Sequence, residues 1–421
     1  MRIASLTVSR LPFSICSSAS GQSACLLTLL LLNAPAALGQ ESAAQVSSSA
    51  IPGIATGLSS SQPAAGPSVQ VTEGYMVPYT LTIPGSQVQI EMIPIPGGVV
   101  TMGSPSNAAE HQEDEGPQIQ VAVGPMWVAK HETTWAEYQL FMSMYKLLKN
   151  LQSQGLRKIA DDNKVDAITA PTELYDSSFT YQFGQDGDLP AVTMTQYAAK
   201  QYTKWLSKLT SQQLRLPSEA EWEYACRAGS QTVYSFGDEP EQLADYAWFV
   251  DNSDEMPHPV GLKQPNAFGL HDMHGNVMEW CIDGYTEDGY IARAELPQPL
   301  SAADAISWAE TYDNRTVRGG SWQDEAEQLR SATRLGSVDE DWKAVDPCFP
   351  RSPWWYTDDP ARGVGFRIVR SYQPLDGELI GKFWDIDNED IEMDVEMRLT
   401  EGRGVIAPID PNLAEDISQA Q

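Results

Sequence analysis

The chain has 421 residues, with 57 acidic and 27 basic side chains and a formal net charge of -30. This acid excess argues against nucleic acid or an anionic membrane surface as a partner, because phosphate contacts require clustered Lys and Arg. A hydrophobic content of 42% with 12 Trp excludes a chain that is disordered throughout. We therefore expect one large domain with an appendage at each end.

The N-terminus has the composition of an export signal. Arginines precede the apolar run 25–32, and the small residues of 37–39 follow it in the form that signal peptidase accepts. The apolar run is too short for a stable membrane span, so no span is expected. We predict that residues 1–39 are a signal peptide, cleaved after Gly39 or, as a second choice, after Ala36. The mature protein is expected to be secreted or periplasmic.

Residues 40–87 are predicted to be a flexible linker, because their Ser, Ala, Gly and Pro content leaves too little apolar surface to offset chain entropy. Beyond the linker the pattern changes. Residues 88–93 alternate apolar and polar side chains as a strand does, and the turn residues 96–98 precede a second strand over 99–103. These two strands are predicted to form a β-hairpin.

Three helices are predicted in the first half of the chain. The first begins after Thr134 and the second after Thr195, and both carry apolar and aromatic residues at the spacing of a core-facing stripe. The third begins after Ser218, where Glu221 completes a capping box three residues later.

Beyond Arg227 the chain is rich in Gly, Asp, Asn and Trp and shows only short β segments. Helices followed by irregular, Trp-rich loops are typical of an α+β fold. Residues 337–362 have the composition of an inserted loop. Residues 373–421 form an acidic tail, in which residues 391–399 alternate apolar and charged side chains. We predict one strand there, which adds to a sheet edge or contacts another chain.

Three cysteines follow the predicted signal peptide: Cys226, Cys281 and Cys348. An odd number allows at most one internal disulfide in an oxidising compartment, so the fold cannot depend on a disulfide framework. Cys226 and Cys281 are expected to act as small apolar filler, whereas Cys348 lies in a predicted loop.

Several segments together resemble the formylglycine-generating (sulfatase-modifying factor) family, and they occur in that family's order. They are residues 95–104, 130–138, 188–192 with 198–206, 215–229, 265–280, 317–322 and 365–367. The resemblance covers residues 88–372 and implies a variant C-type lectin-like fold of the α+β class, with few helices, short strands and much irregular loop. It also implies an activity, the oxidation of a sulfatase cysteine to formylglycine by O2 at a copper ion held by two thiolates.

Those two thiolates have no counterpart here. The first cysteine position of the family falls at Asp324, three residues after Ser321, and the second falls near Leu329. No cysteine lies between Gly319 and Ser337. Because a carboxylate and an aliphatic side chain cannot hold Cu(I), we expect neither copper nor formylglycine formation.

The resemblance does imply a calcium site. Asp272, Gly275, Val277 and Glu279 match the family's ligands, in which acidic side chains and the Gly and Val carbonyls coordinate the ion. Hard oxygen donors in a flexible loop suit Ca2+, so we expect a structural calcium ion there. The alternative is that Asp272 and Glu279 only accept hydrogen bonds from backbone N–H groups.

His271 and His274 form an H-x-x-H pair beside that loop. Histidines three apart can bind zinc or iron, but a catalytic site needs a third ligand and an open position, so packing is the better interpretation.

The resemblance further implies that Cys226 occupies a disulfide position whose partner is replaced here by Ser331.

Five residues remain near the position of the family's active groove: Ser321, Trp322, Asp324, Glu325 and Arg334. This acidic and aromatic set would suit an extended peptide or a carbohydrate. Alternatively, Arg330 and Arg334 form salt bridges with Asp324 or Glu327.

Three functions follow from these observations. The preferred one is an exported family member without copper that acts as a binding or accessory module. The second is an oxidoreductase that modifies a protein side chain through different metal ligands. The third is a structural or surface interaction protein whose acidic tail contacts another chain, in which case deletion of residues 373–421 would leave the domain folded.

Overall fold

The computed structural model describes residues 56–172, 177–346, 351–410 and 412–420. The predicted signal peptide and Cys348 lie outside these residues. The strands are β1 (Leu58–Ser59), β2 (Val69–Val71), β3 (Gly74–Met76), β4 (Tyr79–Thr82), β5 (Gln89–Ile95), β6 (Gly98–Met102), β7 (Ile119–Val123), β8 (Met126–Ala129), β9 (Ala167–Ala170), β10 (Met278–Gly284), β11 (Leu300–Ser301), β12 (Arg315–Arg318), β13 (Arg334–Gly336), β14 (Val364–Gly365), β15 (Val369–Ser371) and β16 (Val405–Pro408). The α-helices are α1 (Trp135–Ser153), α2 (Ser177–Thr180), α3 (Gln196–Thr210), α4 (Glu219–Arg227), α5 (Leu243–Tyr246), α6 (Ile291–Ala294), α7 (Ala302–Ala305), α8 (Asp339–Trp342), α9 (Gly377–Trp384), α10 (Glu389–Thr400) and α11 (Leu413–Ala420).

The strands form small sheets. Two sheets have four strands, in the orders β15-β8-β5-β4 and β13-β12-β10-β14. Two have three strands, in the orders β1-β3-β2 and β11-β7-β6, and β16 pairs with β9 alone. Short strands, separate helices and long loops confirm the predicted α+β class.

All three predicted helices and their N-caps are present. Thr134 precedes α1, Thr195 precedes α3 and Ser218 precedes α4. The aromatic stripes face inward, since Tyr138 of α1 and Tyr202 of α3 are fully buried with ring centroids 5.8 Å apart. The local capping signals therefore located these helices correctly.

The predicted hairpin over residues 88–103 is wrong in its pairing. β5 pairs with β4 and β8, whereas β6 pairs with β7. Ile90 and Met92 of β5 pack into the larger core, while Val100 and Met102 of β6 pack into a second core around α4. Ile93 and Ile95 of β5 also lie in the second core, so β5 contributes to both cores and β6 to the second.

The prediction of a flexible linker over residues 40–87 is wrong where the structure describes this segment, because β1 to β4 all lie within it. β3 pairs with both β1 and β2, and β4 extends the sheet of β5. Met76, Leu81 and Ile83 from this segment are buried. A few apolar residues are enough to hold a segment in the fold when an existing core can cover them. The average composition of the segment does not show where those residues will be buried.

The prediction of a strand at residues 391–399 of the acidic tail is also wrong. Residues 391–399 lie in α10, not in a strand, and β16 pairs within the chain with β9. A pattern that is apolar at every second residue is also apolar at every fourth, so it fits a helix that buries Ile391 and Val395 and exposes Met393. Asn388 caps α10 by accepting a hydrogen bond from the Asp390 amide at 2.8 Å.

The predicted insertion over residues 337–362 contributes to the core through its described residues, 337–346 and 351–362. Trp354 and Trp355 are buried, and the Trp354 carbonyl accepts a hydrogen bond from the Thr195 amide at the start of α3. Among the described helices, none is both long and apolar enough to cross a membrane.

Candidate functional site

The loop before β10 carries the predicted calcium ligands and is held in place by a buried carboxylate. Asp272 and Asn276 have φ values of 57° and 58°, which Asp and Asn adopt more readily than most residues. Glu132 accepts hydrogen bonds from Asn276 Nδ2 at 2.7 Å and from the Val277 amide at 2.9 Å. Glu132 therefore ties the segment before α1 to this loop.

Gly275 brings the same loop against the segment that follows β12. Its φ is +89°, and a Cβ there would lie 2.2 Å from the Trp248 carbonyl oxygen, so a larger residue would clash. The Gly275 amide donates to the Gly319 carbonyl at 2.8 Å, and the Trp322 amide donates to the Asn276 carbonyl at 2.8 Å. The predicted calcium loop and the predicted groove segment thus lie side by side.

Asp272 has a carboxylate oxygen without a partner. Its Oδ2 accepts a hydrogen bond from the Gly261 amide at 2.7 Å, whereas Oδ1 is buried and has no hydrogen-bond partner among the described residues. Burial raises the pKa of Asp272 to about 6. A buried carboxylate oxygen is costly unless a proton or a cation reaches it, so Asp272 fits the predicted calcium site.

Glu279, by contrast, is engaged in a buried ion pair. Arg367 donates to it from Nη2 at 2.5 Å and from Nε at 2.6 Å, and Trp222 Nε1 donates to the same carboxylate at 2.7 Å. The Oε1 atom accepts only the Nη2 bond among these three. A cation at this loop would have to share that oxygen with the guanidinium.

Three buried carboxylates face one guanidinium at this site. Burial, followed by the charges of Asp272 and Glu279, raises the pKa of Glu132 well above its ordinary value, while Arg367 opposes the shift. Across residues 56–172, 177–346, 351–410 and 412–420, no group of three or more His, Cys, Asp or Glu side chains is arranged to hold a metal ion. Calcium would therefore depend on Asp272 together with backbone carbonyls.

The two positions that would carry copper thiolates offer no soft donor. Asp324 Oδ2 accepts hydrogen bonds from the Ser321 amide at 2.8 Å and the Ser321 hydroxyl at 2.7 Å, and burial raises the pKa of Asp324. Leu329 is fully buried in an apolar cluster with Tyr234 and Phe249. The first position holds an oxygen donor turned toward the backbone, and the second is closed by hydrocarbon.

Only part of the predicted groove reaches the surface. Glu325 is exposed and Asp324 is half-buried, but Ser321 is fully buried and Trp322 is 5% exposed. Ser321 therefore positions Asp324 and does not line a groove, and Trp322 supports its neighbours from beneath.

Arg334 and Arg330 belong to buried ion pairs and not to the groove. Arg334 donates to Glu219 from Nε at 2.7 Å and from Nη2 at 2.9 Å. Arg330 donates to both oxygens of Glu115, at 2.6 Å and 2.8 Å. The salt-bridge alternative holds for both arginines, although their partners are not the carboxylates predicted from the sequence.

Beside Trp322 lies a cluster that we call the aromatic patch, formed by Phe179, Phe183, Trp322 and Arg362. Phe183 packs edge-on against Trp322 with ring centroids 5.0 Å apart. The Arg362 guanidinium lies over Phe179 at 5.5 Å and over Phe183 at 5.6 Å. Asp359 accepts two hydrogen bonds of 2.6 Å from Arg362, which neutralise its charge and fix its orientation.

The predicted H-x-x-H pair does not act as a unit. His274 is buried, with Nδ1 2.8 Å from the Leu329 carbonyl and Nε2 2.9 Å from the Ser235 hydroxyl. Burial lowers the pKa of His274 to about 4. Because both of its nitrogens contact protein, the packing interpretation is confirmed for His274, whereas His271 remains partly exposed.

Cys226 and Cys281 are both fully buried, as the filler prediction requires. Burial raises the pKa of Cys226 to about 12, and its thiol faces the Ser331 hydroxyl. Ser331 therefore stands where the family resemblance places the missing disulfide partner.

Sequence reasoning assigned no role to several residues that build this region. Glu132 and Arg367 lie in the segments 130–138 and 365–367. Their position in these family-like motifs was the one sequence feature that could have indicated a role for them. Phe183 and Arg362 lie outside every motif. Only the folded chain brings them to Trp322.

The fold and the site together define an α+β domain of the sulfatase-modifying factor type. A family model described as the sulfatase-modifying factor enzyme 1-like domain matches residues 82–345. Since this match covers more than half of the chain, the chain belongs to that family. The predicted resemblance and the predicted fold are thereby confirmed.

Several characterised proteins are similar to this chain. The serine/threonine-protein kinase pkn1 of Chlamydia pneumoniae is 30% identical over 252 residues, which are 58% of this chain but only 35% of the kinase. The formylglycine-generating enzyme of Mycobacterium tuberculosis is 29% identical over 271 residues, covering 55% of this chain and 86% of the enzyme. The inactive C-alpha-formylglycine-generating enzyme 2 of Bos taurus is 26% identical over 286 residues, covering 60% of this chain and 85% of that protein.

Proposed function

We propose that this protein is an exported binding or accessory member of its family that carries out no copper-dependent oxidation. The chemistry at the two copper positions carries this proposal: the Asp324 carboxylate is bonded to Ser321, and Leu329 is enclosed by apolar side chains. Cu(I) selects paired thiolates, and neither residue has sulfur. The bovine relative described as inactive supports the idea that a member can lack the family's activity. Export rests on the predicted signal peptide over residues 1–39.

A sulfatase-derived peptide containing Cys-x-Pro-x-Arg is expected to keep its cysteine after incubation with the mature protein, Cu(I) and O2. The reason is that the copper ion lacks the two protein thiolates that a third, substrate thiol would complete. Mass spectrometry of the peptide measures the outcome, with the Mycobacterium tuberculosis enzyme assayed in parallel as the positive control. Aldehyde formation above the level without protein would contradict the proposal.

The ligand we propose for the aromatic patch is an extended peptide with a basic side chain. Phe183 and Phe179 are partly exposed, and Asp324 and Glu325, which follow Trp322 in the chain, supply negative charge near the patch. The charge of Asp359 is balanced by Arg362. Aromatic anchors contribute most of the affinity of such sites, and a basic group gains from the acidic surroundings.

Phe183→Ala is expected to weaken binding of the Cys-x-Pro-x-Arg peptide by about tenfold, because one aromatic anchor is worth more than about 1 kcal/mol. Fluorescence anisotropy with a labelled peptide measures this. Phe268→Ala is the matched control, since Phe268 packs against Tyr224 and is not part of the patch. Equal affinities for the two variants would rule out the patch as the peptide site, and displacement of the peptide by a neutral oligosaccharide would assign it to carbohydrate instead.

We also propose that the loop before β10 binds a structural calcium ion. Asp272 Oδ1 is the free carboxylate donor, the carbonyls of Gly275 and Val277 would complete the loop's contribution, and Glu279 Oε1 would be shared with Arg367. Hard oxygen ligands of this kind suit Ca2+. The ion would offset the repulsion among the three buried carboxylates.

Calcium at about 100 times its dissociation constant is expected to stabilise the fold by about 2.7 kcal/mol, because it binds only the native loop. The measurement is the thermal midpoint with excess Ca2+ and with a chelator, at constant ionic strength. Asp272→Ala should abolish the calcium response, whereas Asp324→Ala should retain it. An identical midpoint with and without calcium in the native protein would exclude this site.

A further inference from the structure

His271 faces a histidine that is remote in sequence. The imidazoles of His131 and His271 have ring centroids 5.1 Å apart and are tilted by 50°. His131 belongs to the segment just before α1, and His271 belongs to the loop before β10, so the same Glu132 contacts that position the loop also hold these two segments together. Both rings are partly exposed.

Each of the two rings has a nitrogen that can accept a ligand. His271 Nδ1 lies 2.8 Å from the Lys263 carbonyl, which can only accept, so Nδ1 carries the proton and Nε2 carries a lone pair. A backbone carbonyl that orients an imidazole in this way is the usual support of a metal-binding histidine. Among the described residues, no hydrogen bond reaches the His131 ring.

The Gly261 backbone packs closely against the His131 ring. A Cβ on Gly261 would lie 2.6 Å from Nε2, so only glycine fits at this position, and Nδ1 would be the ligand atom of His131. The neighbouring positive charges are compensated, because Lys130 pairs with Glu91 at 3.3 Å and Arg367 pairs with Glu279 at 2.5 Å.

We propose that His131 and His271 form a two-imidazole site for a divalent transition ion such as Zn2+ or Cu2+, with its remaining coordination positions open to water or to an external ligand. Imidazole nitrogen suits these ions, whereas Ca2+ requires oxygen donors. The site is therefore chemically distinct from the calcium loop, although the two share neighbouring residues. It is also independent of the copper thiolates of the family, since it uses neither Asp324 nor Leu329.

The test uses the full mature chain, purified without a histidine tag, with Zn2+ and Cu2+ as probes. One ion is expected to bind per chain, and the Cu2+ electron paramagnetic resonance spectrum is expected to show two coordinating nitrogens. Because each ring supplies half of the protein ligands, His131→Phe or His271→Phe should weaken Zn2+ binding, measured by calorimetry, by at least about tenfold. Phenylalanine keeps the ring packing and removes only the nitrogen donors.

His111→Ala is the matched control, because that histidine is partly exposed but bonds to Ser104 and faces no second ring. It should leave Zn2+ affinity unchanged. Zn2+ binding that is the same in all three variants would overturn the proposal. Displacement of Zn2+ by excess Ca2+ would place the ion at Asp272 and would overturn it as well. Circular dichroism of each variant shows that a loss of binding is not a loss of fold.

Discussion

Asp387→Ala is expected to lower the free energy of unfolding by about 3–5 kcal/mol, because it leaves two buried cations without their carboxylate partner. The Asp387 carboxylate lies 2.8 Å from Lys200 of α3 and accepts two hydrogen bonds of 2.8 Å from Arg315 of β12. The side chains of Lys200 and Arg315 are only 1% and 3% exposed. Burial alone would raise the pKa of Asp387, but the two cations lower it far below its ordinary value.

The pH dependence of this contribution has a definite sign. Since the native pKa of Asp387 is lower than the unfolded one, the stabilisation is present above the ordinary pKa of 3.8 and is lost as the pH falls below it. Urea unfolding of the native protein and the variant should therefore differ strongly at pH 7 and converge in acid.

Glu401→Ala is the matched control for this effect. Glu401 pairs with Arg403 in the same tail, but their side chains are 44% and 35% exposed, so its loss should cost no more than about 1 kcal/mol. If Asp387→Ala lowered the free energy of unfolding by no more than the control does, Asp387 would not anchor the acidic tail to Lys200 and Arg315. The same contacts predict that deletion of residues 373–421 unfolds the domain, whereas an exposed interaction tail could be removed without loss.

Glu137→Gln is expected to stabilise the protein at pH 8 and to have little effect at pH 4. Glu137 accepts hydrogen bonds from Thr134 in the capping box of α1 but has no cationic partner among the described residues, and burial raises its pKa from 4.5 to about 7. The native state keeps the proton when the unfolded state has lost it, so stability falls as the pH rises from about 4.5 to about 7. A shift of this size corresponds to a gain on the order of 3 kcal/mol for the neutral amide at high pH.

Glu221→Gln is the control, because Glu221 has the same capping role in α4 but pairs with Arg215. Burial would raise the pKa of Glu221, yet the Arg215 charge and hydrogen bonds at 2.7 Å lower it. The amide should therefore destabilise at neutral pH by about 3 kcal/mol, and the loss should shrink in acid. Thermal midpoints of both variants from pH 4 to 8 test the pair. If the thermal midpoints of the two variants changed with pH in the same way, the difference in ion pairing between Glu137 and Glu221 would not control their effects on stability.

The parts of the fold that could be predicted from the sequence are those fixed by neighbouring residues. The caps at Thr134 and Ser218 act across three residues, so the hydrogen bonds that define them are visible in the sequence itself. The prediction that Asp324 and Leu329 cannot hold Cu(I) likewise does not depend on the fold, because a side chain without sulfur cannot become a soft ligand.

Other expectations failed because local patterns have more than one solution. The alternation over residues 391–399 fits a strand and also a helix, and the core that receives Ile391 and Val395 selects the helix. The low apolar content before residue 88 did not exclude β1 to β4, since their few buried side chains are covered by partners such as Trp127 far along the chain. Burial by remote partners is the missing information in both cases.

The sequence by itself determined the family and the main helices. Only the tertiary structure decided that Glu279 is bound to Arg367, that Arg334 is bound to Glu219 and that His271 faces His131. The physical reason is range: capping bonds and ligand identity are set within a few residues, whereas ion pairs and ring contacts depend on which distant segments the core brings together. The free energy of those contacts depends in turn on burial, which a linear pattern does not contain.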